Sequence, residues 1–314
     1  MVRQRVLYGS ILMAGLVALV VTDAALSRPD AVAWRGGLGL LGYGGLTTLA
    51  FALLVLVGAA ELCRLCRQAG HRPAVAWSLI MSVLMMIGPW LASPGPRAIF
   101  SESGLGFAEW TLLERLLPWL AVLGTASILV WRQRTDGAVA DFATTLLVIF
   151  YVGYLGSFCV RARCWWPGPA GAWLILSMLV VIKVTDIGAY FTGIVAGRRL
   201  LIPKVSPKKT WEGLIGGIAA AAVVSGLLLG WAVPRFGGAT ALCDLSMLQA
   251  VVFGIVMAIV GQLGDLAESL FKRDSGAKDS ARLVPTFGGV LDIIDSPLMA
   301  VPVAYWLLRW WLLG

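Results

Sequence analysis

Apolar runs of roughly bilayer length recur along this chain, and they constrain its fold more than any other feature. A helix needs about 20 predominantly apolar residues to cross a hydrocarbon core. Nine stretches approach that length, near residues 6–22, 37–60, 74–92, 111–131, 139–160, 171–195, 214–233, 247–264 and 291–312. Composition agrees, because a chain that is 59% apolar and only 13% charged lacks the polar residues to cover a water-soluble surface. The sequence predicts an all-α polytopic membrane protein of about nine transmembrane helices. No polar segment between the runs is long enough to fold alone, so any chemistry must be done by loops and buried polar residues. Arg3 and Arg5 precede the first run as in a signal peptide, but the apolar core is long and no clear small-residue cleavage site follows, which favours a retained helix.

The net charge of +8 is not gathered on one face or tail, as nucleic-acid binding would require, but falls in short clusters between apolar runs. With the N-terminus inside, the inner loops carry Arg64, Arg67, Arg72, Arg132, Arg134, and the clusters at 197–213 and 265–290. The outer loops carry fewer: Arg28, Arg35, Arg97, Arg161, Arg163 and Arg235. The sequence RARCWW is the weak point of this topology, since it puts two arginines outside. Cys63 and Cys66 form a C-x-x-C near a helix end, but His71 is the only histidine, so chance spacing is preferred to zinc. Gly36, Gly37, Gly39, Gly42, Gly44 and Gly45 permit close helix packing, within one chain or between two.

Three polar segments stand out against this background. In the sixth run, Lys183 and Asp186 are three residues apart and so share a helix face. They read either as a structural ion pair or as the lining of a polar cavity, because charge at membrane depth costs about 2.5–3.5 kcal/mol per residue on insertion scales. In GRRLLIPKVSPKKTWEG, Ser206 and Pro207 read as an N-cap and first helical residue. Lys204, Lys208 and Lys209 beside that helix start would suit a phosphate, or serve simply as a positive-inside anchor. The third segment is GDLAESLFKRDSGAKD. If the eighth helix continues past Gly264, then Asp265, Glu268 or Ser269, and Lys272 fall on one face. Glu268 and Lys272 could form an i,i+4 pair, while Glu268 and Asp274 otherwise read as ordinary surface charges. Beyond it, PTFGGVLDIID puts Asp292 and Asp295 one turn apart after a Gly288-Gly289 turn. Paired carboxylates need a positive neighbour, and hard oxygen donors at this density suit Mg²⁺ with phosphates completing its shell.

These segments resemble the phosphatidate cytidylyltransferases, also called CDP-diacylglycerol synthases. SLFKRDSGAKD matches the family's S-x-x-K-R and K-D elements through Ser269, Lys272, Arg273, Lys278 and Asp279. PTFGGVLDIID matches through Pro285, Gly288, Gly289, Asp292 and Asp295, while TDIGAYFTG and SPKKTWEG resemble two upstream family segments. Phe287 stands where the family usually has His, and Ile293 where it usually has Arg. The resemblance implies transfer of CMP from CTP to phosphatidic acid, with Asp265, Lys272 and Asp292 catalytic, in a polar cavity near the cytoplasmic face. It further implies Mg²⁺ on Asp265 and Asp292 with Asp279 and Asp295 nearby, leaving a second cation open. Substrate contacts would come from Asp186, Ser206, Lys208, Lys209, Thr210, Ser269, Arg273, Lys278 and Arg282. Residues 1–170 would be scaffold and 171–314 the catalytic region, in a homodimer of the bacterial inner membrane. A CTP-dependent polyprenol or dolichol kinase is the nearest rival enzyme, and a secondary transporter the rival from another class.

Overall fold

The computed structural model describes residues 2–27, 43–94, 96, 107–166, 168–233, 245–281 and 288–313. Nine long helices and one small hairpin run through those residues. They are α1 (Val2–Leu26), α2 (Gly45–Gln68), α3 (Val75–Leu91), α4 (Phe107–Trp131), α5 (Ala138–Trp165), α6 (Pro169–Ala196), β1 (Leu200–Ile202), β2 (Ser206–Thr210), α7 (Trp211–Ala232), α8 (Met247–Asp274) and α9 (Leu291–Leu313). Eight of the nine are long and apolar enough to cross a membrane, and α3, at 17 residues, is the shorter one. The fold is all-α and polytopic, as the apolar runs predict. Arg28, Arg35, Gly36, Gly37, Gly39, Gly42, Arg97, Arg235, Arg282, Pro285 and Phe287 lie outside the described residues.

Two helices run on past the apolar stretches that define them in the sequence. Helix α2 runs on past residue 60 to Gln68 and stops at Gly70, whose φ of 90° favours glycine. Helix α8 continues past Gly264 to Asp274. Helix α5 contains a π-helical turn, Ile149–Tyr154, where Gly153 lets the backbone of α3 approach: a Cβ there would come within 2.5 Å of Ser82 Cα.

The chain divides into two compact units, one of residues 1–168 with 271–294 and the other of residues 169–270 with 295–314. In the first, Met81, Met85, Leu117, Ala121 and Ile149 form a buried core packed by Trp77, whose indole N–H donates to Thr125 Oγ1 at 3.1 Å. Asp23 of α1 and Arg163 of α5 form a fully buried ion pair at 2.6 Å, and Arg163 Nη2 also donates to Ser27 Oγ at 2.7 Å. Arg161 pairs with Glu114 of α4. Both arginines of RARCWW are therefore committed to helix partners and are not free loop charges, which removes their weight from the topology count.

In the second unit, α6 and α7 pack closely because glycine faces the partner backbone. A Cβ at Gly217 would sit 2.8 Å from Thr185 O, and one at Gly213 the same distance from Ala189 O. The expected helix start at Ser206 and Pro207 is wrong. Ser206–Thr210 is instead strand β2, antiparallel to β1 with Leu200 opposite Thr210 and Ile202 opposite Ser206. Thr210 is the true N-cap: its backbone is extended and its hydroxyl accepts the Gly213 N–H at 3.1 Å. Glu212 fixes the hairpin's approach by accepting the N–H groups of Arg198 and Arg199 at 3.0 and 3.2 Å.

Candidate functional site

The sequence-predicted polar residues gather into two clusters, one in each unit. In the second unit they form a relay built on α6, β2 and α8. Lys183 Nζ donates to Asp186 Oδ2 at 3.3 Å, so the pair expected from their spacing forms. Gln262 Nε2 donates to Asp186 Oδ1 at 3.4 Å, and Gln262 Oε1 accepts from Lys209 Nζ at 2.9 Å. Lys209 Nζ also pairs with Asp265 Oδ2 at 2.6 Å, and Ser269 Oγ reaches Asp265 Oδ1 at 3.4 Å. Asp295 of α9, 5% exposed, lies against α8 beside this cluster, and its carboxylate accepts the Ser296 N–H at 2.6 Å. Gly264 allows this approach, since a Cβ there would lie 2.5 Å from Asp295 O.

Strand geometry separates the two adjacent lysines. Successive strand residues face opposite sides, so Lys209 turns into the relay while Lys208 is exposed. Ser206 is half-buried in β2, and Thr210 acts as the α7 cap.

In the first unit the organising residue is Asp292, at the first turn of α9. Its Oδ1 accepts from Lys272 Nζ at 2.6 Å. Its Oδ2 accepts from Ser280 Oγ at 2.7 Å, Ser280 N at 3.1 Å and Gly289 N at 2.7 Å. Around it the chain turns through Gly288, with φ 99°, where a Cβ would meet Asp292 Oδ2 at 2.7 Å and Asp279 Cβ at 3.3 Å. Arg273, Lys278 and Asp279 are exposed on this segment.

Glu61, which sequence reasoning missed, locks the turn in place. It is 5% exposed. Oε1 accepts the Val290 N–H at 3.0 Å, Oε2 accepts the Leu291 N–H at 2.8 Å, and Oε2 lies 2.8 Å from Ser280 Oγ, sharing its single hydroxyl proton with Asp292 Oδ2. A buried carboxylate thus satisfies donors at the N-terminus of α9, where the free N–H groups and helix dipole favour an anion. The signal was available: Glu61 is a lone acid at the end of an apolar run. Gln262, 6% exposed within α8, is the second missed residue. Glu268 needs correction as well, because it is fully buried and not a surface charge. It falls on the face of α8 that also buries Gly261 and Gly264. Lys272 reaches across to α9 and pairs with Asp292 at 2.6 Å.

The donor set suits a hard divalent cation at Asp265. Its two oxygens meet one lysine and a long hydroxyl contact, leaving lone pairs for a metal. At Asp292, both oxygens already accept hydrogen bonds, so a cation there would compete with Lys272. Among the described residues no three His, Cys, Asp or Glu side chains converge as a metal cage. Mg²⁺ does not require one, since it commonly takes one or two carboxylates and completes its shell with water and phosphate.

A family model described as the cytidylyltransferase family matches residues 36–311. The chain belongs to the cytidylyltransferase family. The match takes in both clusters, including Glu61 and Gln262. Proteins named phosphatidate cytidylyltransferase are similar along most of the cytidylyltransferase chain: that of Synechocystis is 29% identical over 91% of this chain and 95% of its own length. That of Brucella suis is 34% identical over 73% and 89%. The Haemophilus influenzae protein is 40% identical, but over 51% of this chain and 54% of its own length, about half of each.

Proposed function

We propose that this chain is a phosphatidate cytidylyltransferase, transferring CMP from CTP to phosphatidic acid to give CDP-diacylglycerol and pyrophosphate. Carrying the proposal is the pairing of a lysine with a carboxylate in each cluster, Lys209 with Asp265 and Lys272 with Asp292, in a chain whose relatives bear that name. An oxygen of the lipid phosphate attacks the α-phosphorus of CTP. As that bond forms, the bond from the α-phosphorus to the bridging oxygen breaks, and its electron pair leaves with pyrophosphate. A phosphomonoester has a second pKa of about 6, so it is already largely dianionic near neutral pH and needs no general base. Phe287, where the family usually has His, is compatible with that chemistry.

The requirement is charge neutralisation where two polyanions meet in a poorly screened medium. Lys209 and Lys272 are the proposed phosphate-neutralising groups, each held in place by its carboxylate. Lys208, Arg273, Lys278 and Arg282 add positive charge for CTP and the lipid phosphate, with Ser206, Thr210 and Ser269 as polar neighbours. Asp186 orients Lys183 and Gln262. Asp265 is the proposed principal Mg²⁺ ligand, with Asp295 the further carboxylate of its own cluster, and Asp292 and Asp279 are the proposed carboxylates of the other cluster. Mg²⁺, when bound, would offset charge on the phosphates of the leaving pyrophosphate. We place the catalytic residues at the cytoplasmic face of a bacterial inner membrane, in a homodimer, with residues 1–170 as scaffold and 171–314 as the catalytic region.

The test is the by-product. Purified protein given CTP, Mg²⁺ and phosphatidic acid should release pyrophosphate, and Asp265→Asn should abolish release while the protein still inserts into membranes. Release of CDP would instead favour a lipid kinase, and full activity of Asp265→Asn would remove that residue's assignment.

A further inference from the structure

Away from both clusters, the first unit holds an open cavity of about 560 Å³ lined by Arg67, His71, Arg72, Arg132 and Arg134. None of these residues belongs to the candidate site. They come from two places distant in sequence, the last turn of α2 with the turn that follows it and the turn between α4 and α5, so sequence proximity alone does not explain why four arginines share one cavity. Local structure builds the arrangement. Arg72 is fixed by its backbone, whose N–H donates to Asp141 Oδ1 at 2.7 Å and whose carbonyl accepts from Arg132 Nη1 at 3.2 Å. Gln133 takes a left-handed backbone, with φ 51°, an uncommon conformation for a residue other than glycine. That turn lets Arg132 and Arg134 both line the cavity.

The nearby acids do little to neutralise it. Asp141 is buried, with one oxygen taken by the Arg72 N–H, and Asp136 is exposed on the same turn. No ion pair found between described residues uses any of the four arginines. Guanidinium groups gathered this way match the geometry of phosphate oxygens. The cavity also lies at a recognisable level of the molecule. Val130 and Trp131, immediately before Arg132, are 76% and 89% exposed, and Val139, at the start of α5, is 84% exposed. Exposed apolar side chains ending in a tryptophan mark the membrane–water boundary, which is where lipid phosphates are concentrated.

We propose that this arginine cavity is a binding site for a phosphate group, with the head group of an anionic phospholipid as its source. Positive charge in an inner loop would alone serve topology. Convergence of two loops on one cavity is what a topology signal does not need.

The experiment uses the purified full-length protein in detergent, with bound lipid read by native mass spectrometry. Dioleoylphosphatidylglycerol is titrated against dioleoylphosphatidylcholine, with and without inorganic phosphate as competitor. Wild type should retain phosphatidylglycerol in preference to phosphatidylcholine. The double variant R132Q/R134Q should bind it about 30-fold more weakly, the effect of removing two basic groups at an anionic surface. Arg64→Gln, an exposed arginine that does not line the cavity, should leave binding unchanged. If inorganic phosphate displaces the lipid at equal concentration, the phosphate site stands and its source is the free anion. If the double variant binds like wild type, or Arg64→Gln loses as much, the proposal is overturned. Should the double variant fail to fold, Arg134→Gln alone is read against the same control.

Discussion

Removing the Glu61 carboxylate should loosen the turn that holds Asp292, and the size of the effect follows from its contacts. Glu61 accepts two backbone hydrogen bonds, from Val290 N and Leu291 N at 3.0 and 2.8 Å, and shares the single Ser280 hydroxyl proton with Asp292. Hydrogen bonds to a charged group contribute about 1.5–3 kcal/mol each, and a buried donor left without a partner costs about 1–3 kcal/mol. Water entering the space left by Glu61→Ala recovers part of this, so a net loss of about 3 kcal/mol is a reasonable expectation. If opening of the turn controls exchange, that is about a 100-fold faster hydrogen exchange of amides in residues 288–292. The Ser280 backbone N–H also donates to Asp292 Oδ2 at 3.1 Å, so turnover should fall with the loss of protection. Glu61→Gln keeps the shape and one acceptor oxygen and should lie between wild type and Glu61→Ala on both readouts. Hydrogen–deuterium exchange by mass spectrometry, in parallel with pyrophosphate release, measures both quantities. Unchanged exchange at 288–292 together with unchanged turnover in Glu61→Ala would refute the reasoning.

Other perturbations follow from the same geometry. Gly289→Ala places a Cβ 2.0 Å from Ser280 Oγ and 2.3 Å from Glu61 Oε2, so it should cost activity as severely as Glu61→Ala; near wild-type turnover would contradict the packing. Lys209→Ala unties both Gln262 and Asp265 and should lower kcat at least about 100-fold, the scale of losing one preorganised electrostatic group. Exposed Lys208, changed to Ala, should act on KM for CTP alone, and steady-state kinetics separates the two. Asp23→Asn leaves Arg163 as a buried charge without its counter-ion and should destabilise by about 3–5 kcal/mol. The apolar double variant Asp23→Leu/Arg163→Met should regain much of that loss in a thermal unfolding assay, and failure to regain any would argue that the pair does more than balance charge.

The transmembrane helices were legible because each is set by a long local run of apolar residues. The Lys183–Asp186 pair was legible for a related reason, three positions being one turn of a helix. Glu61 was not legible as a partner of Val290, because the two are 229 residues apart and one sequence carries no record of which distant segments meet. The hairpin was hidden by its brevity, with a three-residue β1 too short to show a period, so Ser206 and Pro207 looked like a helix start. The burial of Glu268 was hidden because helical spacing tells which residues share a face, not which face meets a neighbour. The motifs named which polar residues stand apart from the apolar runs, while the contacts that fix them required the fold.

Cytidylyl transfer is defined by which bond of CTP breaks. With wild-type protein and phosphatidic acid, CTP labelled at the α-phosphorus should transfer its label to the organic-soluble lipid fraction. CTP labelled at the γ-phosphorus should leave its label in the aqueous phase as pyrophosphate. Label from the γ position in the lipid, with none from the α position, would contradict the account.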